Sequence, residues 1–197
     1  MNAQPRNTIV LSPIGNPDIE LLHAIRRAIR RIFSFPSEIV NFTGQVDLAL
    51  DPARNQYHST LILEDLERTA PSSAIKVLAI TNVDLFIPIL THVYGEAQLG
   101  GKACIISTYR LGTPASHTCD REGFILRAVK EAIHELGHTF NLRHCQDHHC
   151  IMHYCRSIRD VDRKGDELCR YCRVLLEGEI RRLTPDKPFH EKAGLIR

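Results

Sequence analysis

Apolar and polar positions along the 197-residue chain switch between a period of two and a helical period, and the switches mark the elements. Thr8-Ile9-Val10-Leu11 is an apolar run closed by Ser12-Pro13 and Gly15-Asn16-Pro17, which predicts a first strand. Leu21, Ile25, Ala28 and Ile32 then recur at helical spacing, with Asn16 as the expected cap and Pro17 at the first helical position. Arg26, Arg27, Arg30 and Arg31 occupy the other faces and read as solvated surface. Glu38 to Leu50 alternates as a strand does. Ser59 to Arg68 reads as a helix buried through Leu61, Leu63 and Leu66. Ala74–Thr81 and Lys102–Leu111 are compact apolar runs of strand type, the second opening after Gly100-Gly101. Gly112-Thr113-Pro114 starts a loop. Past it, Leu126, Val129, Ile133, Leu136 and Phe140 step by three or four and form the stripe of a long helix. A last helix covers Arg170–Leu183. Strands alternating with helices predict an α/β fold with a mixed sheet and packed helices. The chain contains no internal repeat.

The long helix carries the chemistry. His134 and His138 are four apart, so they share one helix face and can grip a single ion, and neither lies on the apolar stripe. Glu135 stands beside the first histidine, in reach of a water at that ion. Such a string also occurs on ordinary surface helices. A third histidine, His144, separates the two readings. It can join the others only if the helix stops and the chain bends back, and Asn141 sits where that stop is needed. Three protein ligands leave the fourth position of a zinc ion open, the mark of a catalytic rather than a structural site.

A second donor group begins at the next residue. Cys145 and Cys150 form one short pair and Cys169 and Cys172 another, across a loop that suits a closed four-thiolate zinc. Disulfides are the competing reading. The N-terminus lacks the form of a signal peptide, so a reducing, cytoplasmic setting is expected, and disulfides are disfavoured there. His148, His149 and His153 are alternative donors close by. His144 and Cys145 are neighbours, and in an extended segment their side chains point opposite ways, one toward each ion.

The run from His134 to Cys172 resembles the archaemetzincins, a branch of the metzincin zinc peptidases. The features carrying the resemblance are the three histidines with Glu135, Cys145 directly after the third histidine, Cys150-Ile151-Met152, and the closing Cys169-x-x-Cys172. Asp84–Pro88, Val93–Ala97, Ile105–Leu111 and Arg54–Tyr57 resemble the central segments of the same family, so the likeness spans roughly residues 8–185. It implies a single metzincin-like catalytic domain over 1–197. An N-terminal subdomain (1–141) would end in the active-site helix. A zinc-stapled C-terminal subdomain (142–197) would come next, with peptide or protein substrate in the cleft between them. It implies two zinc ions, one catalytic at His134, His138 and His144 and one structural at the four cysteines. It also implies Glu135 as general base, and Met152 as the turn beneath the first ion. Some metzincins place a tyrosine two residues past that methionine, where it can ligate zinc or steady the oxyanion; here that is Tyr154. The Lys102–Leu111 strand resembles the edge strand that pairs with substrate. One departure is Asn141, where the family motif has glycine in a left-handed conformation. Asparagine is the next best residue there.

Composition adds limits. The 43% hydrophobic and 24% charged content is ordinary for a globular chain, and the length suits one domain with a real core. The net charge of +2 calls for no nucleic acid, and the basic residues near Cys169 are balanced by Asp160, Asp162, Asp166 and Glu167. No apolar run is long enough for a membrane span. Cys104, Cys119 and Cys155 are left as reduced thiols. The rival to a zinc-dependent peptidase is a non-catalytic zinc-binding interaction module built on the cysteine segment.

Overall fold

The computed structural model describes residues 7–16, 18–112 and 121–184. A five-stranded sheet has the order β2-β1-β5-β8-β7, formed by Ser37–Ile39, Thr8–Pro13, Ala74–Thr81, Ala103–Ser107 and Gly95–Ala97 respectively. The first four strands are parallel, and β7 returns antiparallel to β8. A small second sheet joins β3 (Leu50–Asp51), β4 (Gln56–His58) and β6 (Leu85–Phe86).

Side-chain alternation on the central strands feeds two cores. Ile9, Leu11, Leu78, Ile80, Cys104 and Ile106 face helices α1 (Ile19–Phe33) and α3 (Arg121–Thr139). Val10, Val77, Ala79, Ala103 and Ile105 face α2 (Ser59–Thr69) on the other side. Strands covered on both faces have to be apolar nearly throughout, as β5 and β8 are. The segment after α3 joins the first core through Cys150, Ile151 and Met152, and α5 (Arg170–Leu183) adds Cys172, Leu176 and Ile180.

Several expectations from the sequence need correction. Helix α1 is capped by Asp18 rather than Asn16: the carboxylate adjoining Ile19 accepts the Glu20 backbone N–H at 2.9 Å, a reach that Asn16 lacks. Pro17 lies outside the described residues, as do Thr113, Pro114 and Cys119. The Glu38–Leu50 alternation is strand only at its two ends, in β2 and at Leu50 of β3, with a 3-10 turn at Val46–Ala49. Val40, Phe42 and Val46 pack on the second core, and the Val40 and Phe42 N–H groups still donate to the Leu11 and Pro13 carbonyls of β1 at 2.9 and 3.3 Å, so the chain follows the sheet edge past the end of β2. Leu61 and Leu126 are exposed; Ile62 and Ala132 take the buried positions. The Lys102–Leu111 run is strand only over Ala103–Ser107, and this β8 is interior, not an edge, because Gln98–Ala103 turns tightly and lays β7 along its free side. The short strands β4, β6 and β7, and helix α4 (Ile158–Arg163), have no clear signature in the sequence.

The end of α3 is tied from three directions. Asn141 adopts φ 62°, the left-handed conformation expected of it. The Asn141 N–H donates to the His138 carbonyl at 2.9 Å and the Leu142 N–H to the Gly137 carbonyl at 3.1 Å, the bond pair of a Schellman stop. Gly100, in the turn before β8, also donates to the His138 carbonyl at 2.9 Å. From β5, the buried Lys76 ammonium donates to the Thr139 carbonyl at 2.6 Å and the Gly101 carbonyl at 2.7 Å. A positive charge at a helix C-terminus also suits the helix dipole.

Substitutions at Asn141 and Lys76 test this turn. Asn141→Gly keeps the stability of the parent. Asn141→Val loses about 1–2 kcal/mol, the order of a β-carbon clash in the left-handed region, seen as a melting temperature lower by about 2–8 °C. An unchanged melting temperature for Asn141→Val refutes the account of the turn. Lys76→Met costs about 1–3 kcal/mol at pH 7, because two carbonyls lose a charged donor. Burial lowers the Lys76 ammonium to about 8 from an ordinary 10.5. Between those values the unfolded chain binds the extra proton, so the parent gains stability as pH rises from 8 to 10.5. Denaturant midpoints of the two proteins therefore diverge across that window; a constant gap contradicts the burial argument.

Candidate metal centre

Burial of α3 sets the character of its ligand-type side chains. His134 is 5% exposed and Glu135 7%, because the helix runs between the sheet and the segment beyond Asn141. The His134 Nδ1 faces the Ile151 carbonyl at 2.9 Å, and the His138 Nδ1 faces the Leu142 carbonyl at 2.7 Å. Carbonyls take only N–H donors, so both rings carry their proton on Nδ1 and turn a lone pair outward on Nε2. These two Nε2 atoms stand 3.1 Å apart. Bringing two lone pairs together is unfavourable unless a cation lies between them. The chain returned by the Asn141 turn places the His144 ring 5.3 Å from that of His134 and 4.9 Å from that of His138. The donor atoms of all three lie within 4.8 Å of one another. Burial lowers His134 well below the ordinary histidine value, with the Lys164 charge adding to it; it brings His138 to about 4, and lowers His144 as well. Neutral imidazoles with carbonyl-anchored far nitrogens are the donor set that zinc takes, so these residues fit the ion.

Glu135 lies against β7. A Cβ on Gly95 would come within 2.7 Å of the Glu135 Cγ and of the Ile105 carbonyl oxygen, so only glycine lets the carboxylate side chain pass there. Burial and the nearby Glu131 charge push the Glu135 carboxyl well above its ordinary value, which strengthens it as a proton acceptor. Beneath the helix, Met152 fills the space opposite Gly137, where any Cβ would collide with its sulfur.

The four cysteines converge as a second group. Cys145, Cys150, Cys169 and Cys172 bring their sulfurs within 4.8 Å of one another, and His148, His149 and His153 stand outside it. The Cys145 and Cys169 sulfurs are 3.7 Å apart. Cys169 caps α5 and accepts the Cys172 N–H at 3.5 Å; Cys150 accepts the Cys169 N–H at 3.4 Å. Burial pushes the Cys150 thiol up to about 11, and only a bound cation makes so buried a thiolate favourable at neutral pH. His144 and Cys145, adjacent in the chain, fall in the two separate groups.

A cleft opens beside the histidines, walled by Tyr94–Ala97 of the β7 side and by Tyr154 and Arg156 opposite. Tyr154 is 46% exposed, its ring 4.9 Å from that of His144. Two cleft residues escape sequence reading. Glu131 lies one turn before Glu135 on the same helix face, a spacing that could have pointed to it. Lys164, paired with it at 2.8 Å and 1% exposed, carries no signal, since a lysine before a glycine reads as a solvated loop.

Known proteins match this architecture. The profile of peptidase family M54 covers residues 58–178. The archaemetzincin of Methanocaldococcus jannaschii is 36% identical over 169 residues, 83% of this chain and 89% of the relative. The crystal structure of the Methanopyrus kandleri archaemetzincin aligns with a TM-score of 0.80 at 29% identity, covering 90% of this chain and 97% of that one. The crystal structure of a zinc-dependent peptidase from Methanocorpusculum labreanum aligns with a TM-score of 0.75 at 27% identity, covering 85% and 99%. With this fold, a three-histidine group and a cysteine cluster, the chain belongs to peptidase family M54, the archaemetzincins, and is a zinc metallopeptidase.

Proposed function

We propose that the chain hydrolyses peptide bonds by a metzincin-type mechanism at a zinc ion held by His134, His138 and His144, with Glu135 as the general base. The observation that carries this reading is the pair of Nε2 atoms 3.1 Å apart, each on a ring whose Nδ1 faces a carbonyl, beside a buried carboxylate. Zinc bound there supplies a Lewis acid that lowers the pKa of a water to near 7. Glu135 takes a proton from the attacking water and returns it to the leaving amine. The exposed Tyr154 hydroxyl steadies charge on the carbonyl oxygen. Met152 supports the histidines from below. Substrate backbone lies along the free side of β7, whose edge groups can receive an extended chain.

Cys145, Cys150, Cys169 and Cys172 hold a second, closed zinc that keeps the returned segment in place. The catalytic domain divides after Asn141 into an N-terminal and a C-terminal part, with the cleft between. No disulfide joins the six described cysteines, in keeping with a reducing, cytoplasmic setting. Among the described residues no helix is long and apolar enough to cross a membrane.

Elemental analysis of the purified protein should return two zincs per chain, with chelators stripping the three-histidine site first. One zinc per chain would sink the two-site reading. Cys169→Ser should lose the closed zinc and melt at lower temperature, because metal-binding energy is folding energy there.

Glu135→Ala keeps the three histidines and retains zinc, while peptide hydrolysis falls by about 10²–10⁴-fold, the scale of a lost general base. His138→Ala weakens metal binding itself, so added zinc restores part of its activity. Parent-level cleavage by metal-loaded Glu135→Ala would remove Glu135 from the chemistry.

A further inference from the structure

A second pair of imidazoles stands outside both donor groups. The His148 Nδ1 lies 3.1 Å from the His153 Nε2, with ring centroids 4.5 Å apart. The His153 Nδ1 faces the Cys145 carbonyl at 2.9 Å. The Nδ1–H donates to that carbonyl, so the proton stays on Nδ1 and the His153 Nε2 turns a lone pair toward His148. The His153 side matches His138, whose Nδ1 faces a carbonyl at 2.7 Å and whose Nε2 stands 3.1 Å from its partner; the His148 Nδ1 donates to the His153 Nε2 when metal is absent and frees its lone pair to an ion by moving the proton to Nε2. Two nitrogens on one zinc, each at about 2.0–2.1 Å, are about 3.3 Å apart at a tetrahedral angle. The pair needs to open by only tenths of an ångström to share an ion.

We propose that His148 and His153 form a third, exchangeable site for a divalent transition-metal ion at the rim of the catalytic cleft. Imidazole donors select Zn²⁺, Ni²⁺ or Cu²⁺ over Mg²⁺ and Ca²⁺. Among the described residues no third histidine, cysteine or carboxylate joins the two, so water completes the coordination. Arg156 and Arg163 share the hollow with Asp160, and their charge weakens the site relative to the three-histidine group. The hollow also borders His144 and Tyr154. An ion held by His153 therefore restrains the cleft wall at the next residue, Tyr154. This site responds to free metal while the two tighter groups stay filled.

The test is calorimetric titration of Zn²⁺ into the full-length, zinc-replete protein. The parent takes up one more equivalent than His148→Ala, and His149→Ala, which alters the neighbouring exposed histidine, matches the parent. His148 is exposed, and circular dichroism checks that its variant keeps the parent fold. The same comparison with Cu²⁺, read by electron paramagnetic resonance, shows nitrogen coupling in the parent that His148→Ala loses. Equal Zn²⁺ uptake by the parent and His148→Ala overturns the proposal. So does a loss of the extra equivalent in His149→Ala rather than in His148→Ala.

Discussion

The reversal of the chain at the end of α3 is the constraint on which the rest depends. A helix offers donors four residues apart on one face, and it cannot offer a third six residues further on. His144 reaches the other two histidines only because Asn141 turns left-handed and the Gly137 and His138 carbonyls close the stop. Lys76 and Gly100 hold the same few carbonyls from the sheet side, so the turn is positioned by the fold and not by local preference alone. The Leu142 carbonyl, freed by the turn, then orients the His138 ring. One piece of backbone geometry thus stops the helix, brings back the third histidine and sets the proton of the second.

Buried charge locks the returning segment to α3. Lys130 donates to the carbonyls of Val161, Asp162 and Lys164 at 3.0, 3.1 and 2.6 Å. Arg127 grips Asp162 with two bonds, at 2.6 and 2.8 Å, and Lys164 pairs with Glu131. Buried ions of this kind are costly to desolvate; Lys130 and Arg127 offset that cost with hydrogen bonds, and Glu131 by its ion pair with Lys164. They hold α4 and the loop after it over the helix, beside the histidines. The same burial keeps the imidazoles neutral, so the packing that fixes the segment also prepares the donors.

The cysteine cluster plays the matching part on the far side of the loop. Cys145 stands next to His144, and the Cys145 N–H donates to the Met152 carbonyl at 2.9 Å. A shift of the cysteine group would move the third histidine with it. The loop between Cys145 and Met152 carries His148, so imidazoles that belong to neither group are brought edge to face by the same closure.

Local signals in the chain were enough for much of this. The spacing of His134, Glu135 and His138, the left-handed demand at residue 141, and the paired cysteines state their chemistry through helix geometry and ligand valence, which are properties of short segments. The runs Ala74–Thr81 and Arg170–Leu183 also read true, because strong apolar patterning leaves few alternatives. Position in the sheet was a different matter. Lys102–Leu111 has the composition of a strand, but whether a strand is edge or interior depends on a partner elsewhere, and Gly95–Ala97 is too short to announce itself. Glu131 shares a helix face with Glu135, but nothing nearby in sequence foretells that Lys164 will bury and meet it. Short segments determined which residues could bind metal. The tertiary structure alone decided which strand faces the cleft and which charges lie beneath it, because edge position and charge burial come from contacts between segments far apart in the chain.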